Sequence, residues 1–246
     1  IHTIIYTHGH VDHAYGTWAL LAAGETPQII AQENILHRFN RDIELRQSMA
    51  KYMHQKAEQM PLTVDDSSLT TQVFSDRLEL TIGGERFVLQ HHKGETDDQL
   101  YVWLPDRKMI ATADYYQGFM PNAGNGKRVQ RHVKEWIVAL REMAELGAEL
   151  MLPAHGEALT GTINIQSEFN LLANAFESIR TQAINGLNQG LRKDQIFQSI
   201  TLPDELAHEH TLREQYVSYE DISKMVLKRY NGWWNDLQSQ WTPATL

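Results

Sequence analysis

The stretch that most constrains the fold lies almost at the first residue, where Thr3-Ile4-Ile5-Tyr6-Thr7 runs into His8-Gly9-His10-Val11-Asp12-His13. The first part is a short β-branched run that reads as a buried strand. The second places three imidazoles and a carboxylate in six successive positions. Imidazole nitrogen and carboxylate oxygen suit Zn²⁺ and its neighbours, and Gly9 permits the tight turn that lets successive side chains converge. The bland alternative, a solvated polar loop at a strand end, leaves that density without a cause.

A chain of 246 residues can bury a sizeable core, and its balance of apolar and dispersed charged residues is that of a globular protein. A net charge of −9 without a Lys/Arg cluster argues against a nucleic-acid-binding surface. With no cysteine, disulfides and thiolate metal sites are excluded, and the compartment stays undetermined. No apolar run reaches membrane-spanning length.

Residues 14–23 are rich in helix formers and close at Gly24, and 28–31 read as a short buried strand. Residues 33–59 carry Ile35, Phe39, Ile43, Met49 and Met53 among many charges, one or two amphipathic helices whose stripe is either core or cleft wall. Residues 61–68 form a loop. Segments 73–74, 78–82, 86–90, 100–104 and 109–112, separated by turn residues, predict a meander that builds a second sheet. A helix over 129–146 ended by Gly147 and a strand over 149–152 follow. From about Gly161 only helices are expected: 165–185, a break from Gly186 to Gly190, 193–200, and 219–234 entered through a capping Ser218. No low-complexity linker marks the change, so the helical part should pack directly on what precedes it.

Ligand-type residues recur at three later strand ends: Glu95 in His92-Lys93-Gly94-Glu95-Thr96-Asp97-Asp98-Gln99, Asp114 closing 109–113, and His155 in Leu152-Pro153-Ala154-His155-Gly156. With the opening HxHxDH pattern these residues resemble the metallo-β-lactamase superfamily of hydrolases. The resemblance implies an α+β fold, an αβ/βα sandwich, holding two divalent metal ions, zinc by preference. Carried over by position, His8, His10 and Glu95 hold one ion, Asp12, His13 and His155 the other, and Asp114 bridges. It also implies hydrolysis by a metal-activated water that Asp12 orients. Because three carboxylates face two dications, Glu95 should make that water more basic than a histidine would.

A glutamate at the third position resembles the type III alkyl sulfatases. So does the helical part, through Ile179-Arg180, Gly186-Leu187, Gly190-Leu191, Leu202-Pro203 and Tyr230-Asn231-Gly232-Trp233-Trp234. This likeness implies a catalytic domain over 1–160, a helical dimerisation domain over 161–246, a homodimer and an anionic sulfate-ester substrate. Asn122 stands where the family binds sulfate, with Arg128 and Arg131 as further anion contacts. Tyr216 precedes Val217-Ser218 where the family carries His, so either Tyr216 or Tyr219 replaces it or the substrate differs. Phe169, Leu172, Phe176 and Trp233-Trp234 are expected to face the dimer partner. Asp97 and Asp98 are expected to matter far less than Glu95. The alternatives are hydrolysis of another ester, thioester, lactone or β-lactam on the same fold, or a non-catalytic dimerisation or binding role. The metal loop opens at residue 8, earlier than in the family, so the expectation is that the first strands of the sandwich lie outside this chain and that another polypeptide completes its first sheet.

Overall fold

The computed structural model describes residues 1–52, 54–60, 63, 70–232, 234, 237 and 239. Met53, most of the 61–68 loop and Trp233 lie outside the described residues.

In chain order the elements are β1 (Thr3–Ile5), α1 (Val11–Ala14), α2 (Thr17–Ala22), β2 (Gln28–Gln32), α3 (Ile35–Glu44), α4 (Arg46–Tyr52), β3 (Gln72–Phe74), β4 (Arg77–Ile82), β5 (Glu85–His91), β6 (Leu100–Leu104), β7 (Met109–Ala113), α5 (Val133–Glu145), β8 (Leu150–Pro153), β9 (Leu159–Thr160), α6 (Thr162–Asn188), α7 (Lys193–Ser199), α8 (Asp204–Ala207) and α9 (Tyr219–Lys228). Among the described residues the strands form two sheets, one parallel with order β1-β2-β3, the other mixed with order β4-β5-β6-β7-β8-β9.

Strand side chains alternate between faces, and here the alternation sorts them into layers. In β2, Ile29 and Ala31 pack with Ile35 and Phe39 of α3, while Ile30 points the other way, toward Phe74, Leu89, Leu100 and Val102. In β6, Leu100, Val102 and Leu104 fill the space between the sheets, and Tyr101 and Trp103 face the helices α5 and α6. The result is an αβ/βα sandwich with the inter-sheet core in its middle. Such burial on both faces explains why β6 is apolar throughout, as Leu-Tyr-Val-Trp-Leu.

Several sequence expectations need correction. The strand near 73 belongs to the first sheet, parallel to β2, instead of opening the second-sheet meander. Helix α5 starts at Val133, because the backbone and side chains of 128–132 are committed elsewhere: Lys228 Nζ donates to the Arg128 carbonyl, Gln130 to the Met225 carbonyl and His132 N–H to the Gly94 carbonyl. Helix α6 runs through Gly186 and ends at Asn188. Gly186 is there for close approach, since a Cβ would stand 2.6 Å from Ile196 Cγ1 of α7. Helix α9 ends at Lys228, short of the tryptophans; Ser218 caps it as expected, accepting from Asp221 N–H.

Phe169, Leu172 and Phe176 are fully buried, packed with Trp136, Leu140, Ile222 and Val226 from α5 and α9. They therefore do not face a partner, and the helices α5, α6 and α9 share one core with the second sheet.

Candidate metal centre

Two main-chain bonds fix where the first loop leaves its strand: Tyr6 N–H donates to the Ile30 carbonyl and Leu100 N–H to the Thr7 carbonyl, each at 2.9 Å, so the chain at residue 8 is held between the sheets. His10 is extended at φ −79° and ψ 154° and opens α1, whose first turn carries Asp12 and His13. Gly9 does not adopt a positive φ. Its need is room, because a Cβ would meet Ile35 Cγ1 at 3.0 Å and Asp98 Oδ2 at 3.2 Å, and its N–H donates to that same buried oxygen at 2.6 Å.

Glu95 comes from the turn between β5 and β6, where its N–H donates to Gln99 Oε1 at 2.8 Å. A side chain at Gly94 would collide with the Tyr115 ring at 2.7 Å. Asp114 follows β7 through Ala113 at φ +48°, a left-handed conformation that costs energy in an alanine and turns the carboxylate off the strand. His155 follows β8.

These residues converge in two groups, His8, His10, Glu95 and Asp114 in one, Asp12, His13 and His155 in the other. In the first, His8 Nε2 lies 3.0 Å from His10 Nδ1 and 3.6 Å from Glu95 Oε2, and His10 Nδ1 lies 3.4 Å from Glu95 Oε2. In the second, Asp12 Oδ2 stands 3.3 Å from His13 Nε2 and 3.4 Å from His155 Nε2. Asp114 touches both, at 3.4 Å from His13, 3.6 Å from His155 and 4.0 Å from His8. Ligands about 2.0–2.1 Å from a tetrahedral ion are roughly 3.3–3.4 Å from one another, so the donor atoms are spaced as an ion requires.

The polar accounting agrees. His13 Nε2, Glu95 Oε2 and Asp114 Oδ1 are buried with no hydrogen-bond partner, a costly arrangement unless positive charge sits among them. Protons respond to the same field. Burial, reinforced by His10 and His13, pushes His8 down, and burial lowers His10. Burial raises Asp114 to about 6. Against their own burial, His13 is pushed up to about 10 by Asp114 and Asp12, and Glu95 is held well below the usual carboxylate range by His10 and Arg131. The neighbouring His13 takes Asp12 down to about 2. Borderline nitrogen and oxygen donors in this geometry suit a divalent cation.

A cleft of about 460 Å³ opens onto the cluster, with His10, Asp12, Glu95, Asp114 and His155 in its wall. Of the sequence-derived substrate residues, Asn122, Arg128 and Tyr216 also line it. Asn122 Nδ2 donates to Glu95 Oε1 at 2.5 Å, and its Oδ1 is buried without a donor. The Arg128 guanidinium lies 4.8 Å from the centre of the Tyr52 ring and donates to the Tyr52 hydroxyl at 3.2 Å.

Two sequence-derived assignments do not meet the cleft. Arg131 is 2% exposed and donates to the Glu95 carboxylate at 2.9 Å, so it holds a protein carboxylate and not a substrate. Tyr219 donates its hydroxyl to the Leu212 carbonyl at 2.7 Å and packs on the helical core. Conversely, sequence reasoning passed over Arg38 and Asp42, both in the cleft wall. Their signal was available: they fall three residues after Ile35 and Phe39, charges on the flank of an apolar stripe that enters the core. Met49 and Tyr52 of α4 also line the cleft, so the 33–59 region serves core and wall together.

Comparison with known proteins gives a consistent context. The profile of the Metallo-beta-lactamase superfamily matches residues 1–155. The chain is 26% identical over 261 residues to a linear primary-alkylsulfatase of Pseudomonas sp., covering 95% of this chain and 49% of that protein. It is 24% identical over 265 residues to an alkyl/aryl-sulfatase of Saccharomyces cerevisiae, covering 96% of this chain and 41% of that one. Among solved structures it resembles a stereoselective inverting sec-alkylsulfatase from Pseudomonas sp., with a TM-score of 0.79 at 18% identity over 99% of this chain and 43% of the other. The chain thus spans less than half the length of each of these relatives.

Proposed function

The chain belongs to the metallo-beta-lactamase superfamily, and from that membership we propose that it is a dinuclear metal-dependent hydrolase of sulfate esters. The observation that carries this reading is the meeting of two ligand groups at Asp114 beside a cleft whose wall holds Asn122 and Arg128. His8, His10 and Glu95 would hold one ion, Asp12, His13 and His155 the other, with Asp114 shared. The nitrogen and oxygen donors favour zinc. Such a pair would supply an activated water near neutral pH and would polarise an ester oxygen.

The chain's own residues do the rest. Asn122 is already fixed by Glu95, and together with the Arg128 guanidinium it binds the sulfate oxygens. Phe119, Met49 and Tyr52 hold the apolar alcohol portion. Tyr216, in the cleft wall, donates a proton to the leaving oxygen, and Asp12 orients the attacking water. Sulfate esters are favoured over lactams or thioesters by these anion contacts and by the likeness to two alkylsulfatases. We further propose a catalytic part over 1–160 and a helical part over 161–246 that pairs two copies, and sedimentation of the full-length protein tests the pairing.

The deciding experiment offers the zinc-loaded full-length protein an alkyl sulfate, an aryl sulfate, a thioester and a β-lactam. Release of inorganic sulfate, abolished by a chelator and by Asn122→Ala, is the expected result. Turnover of the thioester or lactam without sulfate release would replace the proposed substrate class.

A further inference from the structure

The two oxygens of Glu95 are in different situations. Oε1 accepts from Asn122 Nδ2 at 2.5 Å and from Arg131 Nη2 at 2.9 Å. Oε2 is buried, has no hydrogen-bond donor, and faces His8 and His10 at 3.6 and 3.4 Å. Arg131 also donates to the main-chain carbonyl of Glu95. Its fork thus grips the residue at both ends and leaves one oxygen for an ion. A guanidinium as buried as this one persists only against an opposite charge, and its hydrogen-bonded carboxylate is that of Glu95.

We propose that Arg131 is the counter-charge that allows a carboxylate to occupy the third ligand position of the first metal. Glu95 and Arg131 together present a single-oxygen donor with no net charge, the electrostatic equivalent of a neutral histidine. Arg131 is in this sense a positioning residue: it acts through Glu95 and touches no substrate. The pairing offsets the more basic water that a lone third carboxylate would produce, so the sequence-level expectation for Glu95 holds only for a chain without Arg131. It also links distant parts of the chain, since the turn at 95 is completed by the segment leading into α5.

This inference rests on reading Glu95 as a metal ligand, and its test separates the two claims. Zinc dissociation constants would be measured by chelator competition on the full-length protein carrying Glu95→His, Arg131→Met, or both. Glu95→His alone leaves an unpaired guanidinium beside the ion and should weaken the first site on the order of 100-fold; adding Arg131→Met should recover on the order of 10-fold or more. A double variant that binds zinc no better than Glu95→His would overturn the counter-charge role. Should Glu95→His fail to fold, urea unfolding of the metal-free Glu95→Gln, Arg131→Met and double variants gives the same answer: the double should be less destabilised than the sum of the singles, and additive losses would overturn the proposal. The parent reading fails separately, if Glu95→Ala leaves zinc stoichiometry unchanged.

Discussion

Asp98 and Asp97 are adjacent acids in one turn, and the structure gives them opposite importance. Asp98 is fully buried; its Oδ2 accepts the Gly9 N–H at 2.6 Å and its Oδ1 lies 3.4 Å from Arg38 Nε. Asp97 has a side chain 38% exposed and meets Arg38 only through Nη1 at 3.2 Å. Asp98→Ala leaves a buried amide unpaired, which costs about 1–3 kcal/mol, and removes a buried partner from Arg38, so a total loss of about 2–4 kcal/mol is expected. Asp97→Ala removes a half-exposed ion pair and should cost under about 1 kcal/mol. Asp98→Asn keeps an acceptor for Gly9 and should fall between them. Urea denaturation of the metal-free protein measures all three, and zinc affinity should fall with Asp98→Ala because Gly9 sits between His8 and His10. Equal losses for Asp97→Ala and Asp98→Ala, or a loss below about 0.5 kcal/mol for Asp98→Ala, would refute the anchoring role.

Tyr216 and Tyr219 should separate cleanly. Tyr216→Phe should lower kcat for sulfate release with stability unchanged, whereas Tyr219→Phe, which loses a hydrogen bond to the Leu212 carbonyl, should cost about 1 kcal/mol and leave kcat alone; steady-state kinetics with thermal melts would show a reversal if the assignment is wrong. Gly186→Ala should cost about 1–3 kcal/mol in urea denaturation through overlap with Ile196, and a neutral result would mean that α6 and α7 can separate freely. Burial holds His132 down to about 4 against an ordinary 6.5. Between those values the unfolded chain binds a proton that the folded chain does not, so stability rises with pH across the window and is lost as pH falls toward 4. His132→Asn should flatten that slope in the metal-free protein, and an unchanged slope in urea midpoints from about pH 4.5 to 6.5 would contradict the assignment.

What was legible in the sequence is what local chemistry determines. His8, His10, Asp12, His13, Glu95, Asp114 and His155 are all placed by the strand that precedes them, and strand ends followed by turn residues can be read from a short window. The pairing of Arg131 with Glu95 spans 36 residues, and that of Asp98 with Gly9 spans 89, distances at which no local pattern reports a partner. For the same reason the sequence does not place β3 in its sheet, since alternation gives the faces of a strand and not its neighbours. The stripe of Phe169, Leu172 and Phe176 marked a face to be covered, but periodicity does not say by what, and α5 and α9 of the same chain cover it. Arg38 and Asp42 flank the apolar stripe of α3, and only the packing of that helix beside residues 95 and 114 makes the flank the wall of a cleft.

Two ligand groups sharing Asp114 should hold a pair of divalent ions. The metal content of the full-length protein tests this, after exhaustive dialysis against metal-free buffer, measured by plasma emission against protein concentration and repeated for Asp114→Ala. The native protein should retain close to two zinc equivalents per chain and the variant should lose affinity at both sites, because Asp114 contacts His8 on one side and His13 and His155 on the other. One equivalent or none in the native protein, or a variant that retains both ions, would contradict it.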